Sequence, residues 1–195
     1  MDFGSCISAP GACGRAAGAR VARGMTLIEL AVTMVVVALL IAVALPSFTS
    51  LIQNNRVMGE VNSFVSDLQF ARSEAIKQGL PVSLCPSSNG TSCLGTNSWS
   101  SGWIVFPDAT GSGSIASGVT PLRARQALVG GDSFAATPST TAFTFSRDGF
   151  AINLAASGVT LVLHTSPVNA AATRCVALTL VGHETVQSAG TGSCT

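Results

Sequence analysis

The sequence predicts an α+β protein in which a long N-terminal α-helix, one half transmembrane and one half amphipathic, packs on an antiparallel β-sheet or β-sandwich head. A nearly unbroken apolar run occupies residues 25–45, and a three-four repeat of apolar residues follows it. After Pro81 the chain changes to short β-prone runs separated by Gly- and Ser-rich loops. Only 10% of the 195 residues are charged, well below the usual share of about 25%. This composition indicates a membrane-associated or exported protein.

Residues 1–24 are predicted to be a processing segment. Their basic residues are Arg15, Arg20 and Arg23, and Gly24 follows directly. An ordinary secretory signal carries its apolar core before the cleavage site, whereas here the apolar run comes after the basic residues. A cut after Gly24 would therefore leave the apolar run at the new N-terminus. The alternative is an uncleaved signal anchor.

The apolar run has the length of a membrane-spanning helix. Its 21 residues, 25–45, extend about 31 Å as a helix, which matches a bilayer core. The basic residues before it predict that the N-terminal side faces the cytoplasm and that the rest lies beyond the inner membrane. Pro46 is expected to end or kink the helix at the outer end.

One acidic residue, Glu29, lies inside the apolar run. A carboxylate there costs roughly 2.5–3.5 kcal/mol on insertion scales, so it requires a partner. Cleavage before Met25 would create an α-amine four residues away, largely charged at neutral pH. Glu29 could pair with its own amine or with that of a neighbouring subunit, which would set the register of packed copies. The alternative is a protonated carboxyl group at the membrane interface.

The stretch "RG" followed by "MTLIELAVTMVVVALLIAVALP" closely resembles the class III leader and N-terminal helix of type IV pilins and type II secretion pseudopilins. The resemblance implies that prepilin peptidase cuts between Gly24 and Met25 and that Met25 is N-methylated. It also implies that Glu29, the fifth mature residue, guides assembly. Methionine stands where the family more commonly has phenylalanine. The leader is long, and a start at Val21 would leave only "VARG".

Residues 47–79 are predicted to form the outer, amphipathic half of the same helix. Apolar residues recur at spacings of three and four, which places them on one helix face. Gly79 and Pro81 are expected to end the helix. An independent helical hairpin is the alternative, but no second helical pattern follows. The apolar residues are Val57, Val61, Phe64, Leu68, Ala71 and Ala75, and the polar ones around them are Arg56, Glu60, Asp67, Arg72, Glu74 and Lys77.

Residues 80–195 are predicted to form the β head. The β-prone runs are "VSLC", "WIVF", "TAFTF", "GVTLVLHT" and "RCVALTLV", and residues 108–118 form the longest loop between them. The last two runs alternate with period two, through Val159, Leu161 and Leu163 and then Val176, Leu178 and Leu180. Short strands of this kind are typical of an antiparallel sheet packed on a helix.

Four cysteines lie in the head, and two more, Cys6 and Cys13, lie in the predicted leader. Four cysteines allow three pairings. Nearest-neighbour pairing, Cys85–Cys93 and Cys175–Cys194, would close two loops and contribute about 2–4 kcal/mol each. A four-thiolate metal site is the alternative, but no C-x₂-C pair is present and an exported protein favours disulfides. No metal or cofactor is expected.

The head resembles the GspH/FimT branch of the superfamily, the H-type minor pseudopilins and their pilus relatives. The stretch "ARSEAIKQGLPVSLCPSSNGTSC" and the following "SWSSGWIVFPD" match an "AR…A" helix end, a cysteine-bearing strand and a W…GW…F.D segment. The stretch "FTFSRDGF" also fits. The resemblance covers nearly all of residues 23–194. The W…GW…F.D positions are Trp99, Gly102, Trp103, Phe106 and Asp108.

An enzyme is the alternative from another class. A hydrolase needs a nucleophile, a base and an orienting acid. The only histidines, His164 and His183, lie in no metal-binding or nucleophile-elbow motif. "GSGS" at Gly111 lacks the lysine of a phosphate loop. We therefore expect no catalytic activity.

Nucleic-acid binding is a third class, since FimT-type relatives bind DNA through a basic C-terminal motif. The corresponding stretch here, "VGHETVQSAG", has His183 in place of the arginine and adds Glu184. After Leu45 the chain holds seven basic and seven acidic residues, a poor electrostatic footprint for phosphates. Arg123 and Arg125 could form a small patch, but two loop arginines are usually just solvated. DNA binding is therefore disfavoured.

The sequence as a whole predicts a minor pseudopilin of a type II secretion system, a structural subunit near the tip of a periplasmic pseudopilus. The alternative is a FimT-like minor type IV pilin for pilus assembly or DNA uptake. We expect a leader at 1–24, a transmembrane and assembly helix at 25–46, an amphipathic half at 47–79 and a head at 80–195. The expected partners are other pseudopilins or minor pilins, prepilin peptidase and the bacterial inner membrane, with the head in the periplasm.

Overall fold

The computed structural model describes residues 24–194, which contain one α-helix and nine β-strands. The chain divides into two units, the first ending at Ala42 and the second beginning at Val43. The amphipathic half of the helix and all the strands belong to the second unit. Helix α1 is long and apolar enough to cross a membrane, with a mean hydropathy of 2.8 over its most apolar window.

Helix α1 comprises Leu27–Gln78. It ends where the sequence predicts, because Gly79 takes a positive φ of 66° and its N–H donates to the carbonyl of Ala75. Pro46 was expected to end or kink the helix, and it does not end it, since α1 continues through it to Gln78. Proline removes only one backbone donor.

The strands form two antiparallel sheets. One sheet has the order β3-β2-β1-β5-β6 and the other the order β4-β7-β8-β9. The strands are β1 (Val82–Pro86), β2 (Trp103–Pro107), β3 (Arg123–Arg125), β4 (Ser133–Thr137), β5 (Phe143–Phe145), β6 (Ala151–Ile152), β7 (Val159–His164), β8 (Arg174–Leu178) and β9 (Glu184–Ser188). The long helix packed on antiparallel sheets confirms the predicted fold class.

The five predicted β-prone runs correspond to β1, β2, β5, β7 and β8, and residues 108–118 contain no strand. Strands β3, β4, β6 and β9 were not predicted, because they are short, polar or made of small residues. The alternation holds through β7 and β8 but not at Leu180, which is exposed in the turn after β8.

The predicted apolar face of the outer helix half is the centre of the core. All six of its residues are fully buried: Val57, Val61, Phe64, Leu68, Ala71 and Ala75. Phe64 lies among aromatic rings, with its centroid 5.0 Å from that of Phe134 and 5.1 Å from that of Trp103. These rings come from both sheets, so the helix joins the sheets into a single core.

Candidate functional site

The residues predicted for processing and assembly lie at the start of α1, just before it and in its first turn. Gly24 and Met25 are exposed and precede the helix. Thr26 begins it: its carbonyl accepts from the N–H of Leu30, and its hydroxyl accepts from the N–H of Glu29 at 3.3 Å. The sequence analysis missed this cap, although "TLIE" has the T-x-x-E spacing of a capping box.

The Glu29 side chain is exposed and has no hydrogen-bond or ion-pair partner among residues 24–194. Its position in the first helical turn favours a negative charge, because the helix dipole is positive there. The apolar side chains that follow it are exposed as well, for example Leu27 at 87% and Leu40 at 66%. This segment therefore presents one carboxylate at the start of an uncovered apolar helix.

Residues 1–23 of the predicted leader lie outside the described residues. Its three arginines, Cys6 and Cys13, and the alternative start at Val21 belong to that segment. Only Gly24, the last residue before the predicted cut, is described.

A buried carboxylate, Asp67, ties the helix to the first sheet. Its Oδ1 accepts from Arg123 at 2.9 Å, and its Oδ2 accepts from Arg125 at 2.8 Å and from Trp103 Nε1 at 3.0 Å. The Arg123 guanidinium also lies 3.6 Å from the centroid of the Phe70 ring, a cation–π distance. One helix residue thus holds neighbouring strands β2 and β3.

Burial of Asp67 disfavours its charge, but hydrogen bonds from Arg125, Arg123 and Trp103 outweigh burial and hold the pKa of its carboxyl group below the ordinary value. In return, Asp67 raises the pKa of Arg125. Asp67 is therefore ionised at neutral pH despite its complete burial.

Two expectations about these residues are wrong. Asp67 was assigned to the polar surface of the helix, yet it is fully buried. Arg123 and Arg125 were expected in a loop, yet they form the ends of strand β3, and both pair with Asp67 while their side chains stay partly exposed. The sequence separations of 56 and 58 residues explain the error, because local periodicity carries no information on such a pairing.

Two further helix residues bind the second sheet and its turns. Arg56 forms a bidentate pair with Asp132, at 2.6 and 3.0 Å, and Asp132 also accepts from the Ser166 N–H. Arg72 donates to the carbonyls of Val181 and Gly182. The outer half of the helix is thus tied to the head by polar contacts from Arg56 to Arg72 as well as by its apolar face.

The tryptophan segment supplies the contacts around this core. Trp99 is buried against Phe143, with centroids 4.7 Å apart, and its Nε1 donates to the carbonyl of Thr140. Gly102 has a φ of 94°, and a Cβ there would collide with the Arg125 carbonyl. Only glycine therefore fits at position 102.

Asp108 and Phe106 complete the segment on the other face of β2. The Asp108 carboxylate accepts from the Ser83 hydroxyl and the Gly113 N–H, both at 2.7 Å, and so orders the start of the 108–118 loop. Burial opposes its charge, but these hydrogen bonds prevail and lower the pKa of Asp108. Phe106 packs with Cys85 and Ile104 in a small second cluster. All five motif residues have structural contacts.

The structure contains the disulfides Cys85–Cys93 and Cys175–Cys194, the nearest-neighbour pairs of the sequence analysis. The first closes the loop after β1. The second links β8 to the C-terminal segment, where Ser193 donates to the Gln187 side chain. Both bonds therefore fix loops to strands.

The two histidines lie in separate parts of the second sheet and its turns. His164 contacts the Thr173 hydroxyl through Nδ1, and His183 lies in the turn after β8. Residues 24–194 contain no group of three or more His, Cys, Asp or Glu side chains that could hold a metal ion.

Comparison with known proteins agrees with this architecture. The family described as "Type II transport protein GspH" matches residues 60–182, which is most of the head and the outer helix half. The prokaryotic N-terminal methylation motif matches residues 19–45. No curated protein matches the chain in sequence.

Solved structures share the fold. Two crystal forms of the type IV minor pilin FimU of Pseudomonas aeruginosa match with TM-scores of 0.53 and 0.51 at 18% and 17% identity. They cover 68% and 67% of this chain and 89% and 91% of theirs. The minor pseudopilin EpsH from the type 2 secretion system of Vibrio cholerae has a TM-score of 0.47 at 12% identity, covering 68% of this chain and 97% of its own.

The family match spans more than half of the chain, and the methylation motif covers the apolar segment that begins α1. The FimU similarity shows the same fold. This is a family of structural pilin-type subunits and not a known enzyme family. The chain belongs to the GspH family, within the pilin and pseudopilin superfamily.

Proposed function

We propose that this protein is a minor pseudopilin of a type II secretion system, incorporated near the tip of a short periplasmic pseudopilus. The observation that carries the proposal is the methylation motif over residues 19–45 joined to a GspH head. The family description, a type II transport protein, favours secretion over a pilus. The head has its own buried core, so it can fold independently of assembly.

In this proposal, prepilin peptidase cuts between Gly24 and Met25, and Met25 becomes the methylated N-terminus. The apolar segment first anchors the protein in the inner membrane and then packs among neighbouring helices. Glu29 pairs with the N-terminal amine of a neighbouring subunit. Its exposure and lack of a partner within residues 24–194 support this role, because an unpaired carboxylate in an apolar assembly is costly.

DNA uptake by a FimT-like minor pilin is the second candidate function, and the charges of the head disfavour it. In the described part of the chain every basic residue has a partner. Buried carboxylates pair with Arg56, Arg123 and Arg125. Surface carboxylates pair with Lys77 and Arg147. Backbone carbonyls accept hydrogen bonds from Arg72 and Arg174. Phosphate binding needs clustered cations that are available to the ligand.

Substitution of the predicted cleavage residue tests the processing step. Gly24→Val should leave uncut precursor in the inner membrane, because the peptidase must accept a residue without a side chain at the cut. Gly59→Val is a matched control, since Gly59 has open space around its Cα. Intact mass measures the cut, and wild-type assembled protein that still carries residues 1–24 would contradict the proposal.

Deletion of the gene distinguishes the two machines. Loss of exported enzymes from the medium, with surface pili and transformation unchanged, is the expected result for a secretion pseudopilin. Loss of pili or of DNA uptake, with secretion intact, would support the FimT-like alternative and contradict the proposed function.

A further inference from the structure

The two sheets end in four edge strands, and three of them are short or covered. Strands β3 and β6 contain three and two residues. At the β4 edge the Asn97 side chain donates to the Ala136 carbonyl at 2.8 Å and accepts from its N–H at 2.9 Å, as a neighbouring strand would. Short and covered edges are the usual ways in which proteins prevent pairing with other chains.

Strand β9 is the fourth edge, and it is five residues long. It pairs on one side with β8, with Val176 opposite Val186. Within residues 24–194 no strand pairs its other side, and only the Ser188 carbonyl at its end is bonded there, by Thr191. Its sequence, "ETVQS", contains neither the lysine nor the proline that often protects an edge.

The register shows which backbone groups of β9 are available. The Thr179 N–H donates to the His183 carbonyl at 3.0 Å, so this pair just beyond the ladder is a hydrogen-bonded one. Hydrogen-bonded and non-hydrogen-bonded pairs alternate along antiparallel strands. Thr185 and Gln187 therefore bond to β8 through their backbone groups.

The same alternation directs the N–H and C=O groups of Glu184, Val186 and Ser188 away from β8. An independent contact agrees, because the Ser188 carbonyl accepts from the Thr191 N–H at 3.1 Å outside the ladder. Five groups are left: the N–H and C=O of Glu184 and of Val186, and the N–H of Ser188. None has a partner among the described residues.

The side chains of β9 show that the sheet is incomplete at this edge. Val186 lies on the same face as its neighbour Val176, which is fully buried in the core, yet Val186 is 42% exposed. The opposite face is already covered, since Ser193 bonds to Gln187 and Cys194 is linked to Cys175. A strand added beside β9 would cover Val186 and pair the five backbone groups.

We propose that β9 is an assembly edge that accepts an extended strand from a neighbouring pilin-type subunit, by β-augmentation. This inference rests on the proposed function, because it requires incorporation into an assembly. The alternating backbone groups select the occupant: only an extended chain presents N–H and C=O groups at the matching spacing.

The added strand comes from a different subunit and not from a second copy of this chain. Among its described strands, this chain has no other free edge of comparable length, so a second copy could offer only its own β9. A β9–β9 pair is an isologous contact that closes on itself, whereas filaments grow through heterologous contacts.

Hydrogen exchange at single residues tests the inference on the wild-type chain. Amides of Glu184, Val186 and Ser188 should exchange fast in the detergent-solubilised monomer and about tenfold or more slowly in the assembled pseudopilus. Amides of Thr185 and Gln187 should be protected in both states, since they bond to β8. Fast exchange at all three outward amides in the assembly would overturn the inference.

A proline at the edge gives the matching functional test. Val186→Pro removes an outward N–H but no β8 bond, so the variant should fold and yet enter the pseudopilus about tenfold less. Val186→Thr keeps the N–H and the branched side chain and should incorporate normally. Equal incorporation of the two variants would overturn the edge inference, while absence of the wild-type chain from the pseudopilus would contradict the proposed function. If Val186→Pro fails to fold, the exchange measurement decides.

A photoreactive phenylalanine in place of Thr185 identifies the occupant. The expected product is a crosslink to a different pilin-type subunit, seen by mass spectrometry of the assembled material. A crosslinked dimer of this chain would overturn the assignment to a different subunit.

Discussion

The two halves of α1 differ in apolar content and lie in opposite environments. In the segment before Pro46 the large apolar side chains are exposed all round, including Leu27, Leu40 and Val43. In the outer half the apolar face is fully buried, and most of the remaining positions are polar, although a few apolar side chains such as Phe48 and Ile76 stay exposed. A helix that is apolar on every side requires a membrane or other helices, whereas one apolar face requires a single packed head.

The charged residues follow the same division. Glu29 has no partner within residues 24–194, whereas Asp67 has three donors and is completely buried. The first half is therefore incomplete until another molecule joins it, and the second half is complete within the chain. Substitutions in the first half should affect assembly, and those in the second half should affect stability.

The largest expected effect is on assembly, at Glu29. Glu29→Gln keeps the shape of the side chain but loses its charge, so the variant should be cleaved, inserted and folded, yet fail to enter the pseudopilus. Glu29→Ala should fail too, although it should insert more easily by roughly 2.5–3.5 kcal/mol. Co-purification with partner pseudopilins measures incorporation, and thermal melting of the full chain in detergent measures the head.

The Glu29 variants test whether the two helix halves have separate roles in assembly and in stability. Normal incorporation of Glu29→Gln would show that charge pairing is not the reason for a glutamate in this helix. A lowered melting temperature would show that the first half contributes to the fold of the head.

The largest effect on stability is expected at Phe64. Phe64→Ala should lower the free energy of unfolding of the head by about 3–5 kcal/mol, because its ring contacts aromatic rings of both sheets. Leu40→Ala, in the exposed first half, is the control and should leave head stability unchanged. Denaturant unfolding followed by tryptophan fluorescence measures both, and equal losses would contradict the division of roles.

Asp67→Asn tests how much the buried carboxylate of the outer helix half contributes to the stability of the head. The variant should lose about 2 kcal/mol, less than a fully buried pair would because both arginines are partly exposed. The lowered pKa of Asp67 stabilises the fold at neutral pH, and this contribution is lost as pH falls below about 4 toward the folded-state pKa. The gap between wild type and variant should therefore narrow below pH 4, and a constant gap would contradict the ionic role.

The smallest effect is expected at Glu60, whose carboxylate oxygens are shielded from solvent and make no hydrogen bond of ordinary geometry among the described residues. Burial and then the nearby charge of Asp132 raise the pKa of Glu60, although Arg56 and the Val129 backbone oppose them. Because the folded state disfavours the ionised form, Glu60 destabilises the head as pH rises above the ordinary glutamate pKa of about 4.3. Glu60→Gln should stabilise the head by about 1 kcal/mol at pH 7, and the gain should vanish below about pH 4 as the carboxyl group becomes protonated in both the folded and the unfolded state. A stability loss at pH 7 would show an unrecognised partner.

Local patterns in the sequence were sufficient for much of the fold. The buried face of the outer helix half is readable because a spacing of three and four leaves one geometric solution, and Gly79 can take the positive φ that ends the helix. Strands β7 and β8 are readable from period two. Strand β9 was missed because an edge strand with one exposed face has a polar sequence, and β3 because its three residues include two arginines.

The sequence by itself determined the long helix, its apolar first half with the single acidic residue Glu29, and the five β-prone runs. Each of these features depends on residues close together in the chain. Only the tertiary structure decided that Asp67 binds Arg123 and Arg125, that Asn97 covers the β4 edge, and that β9 is left open. These features depend on contacts between residues tens of positions apart. These contacts stabilise the fold only after the sheets have formed, so they cannot be predicted from a local sequence pattern.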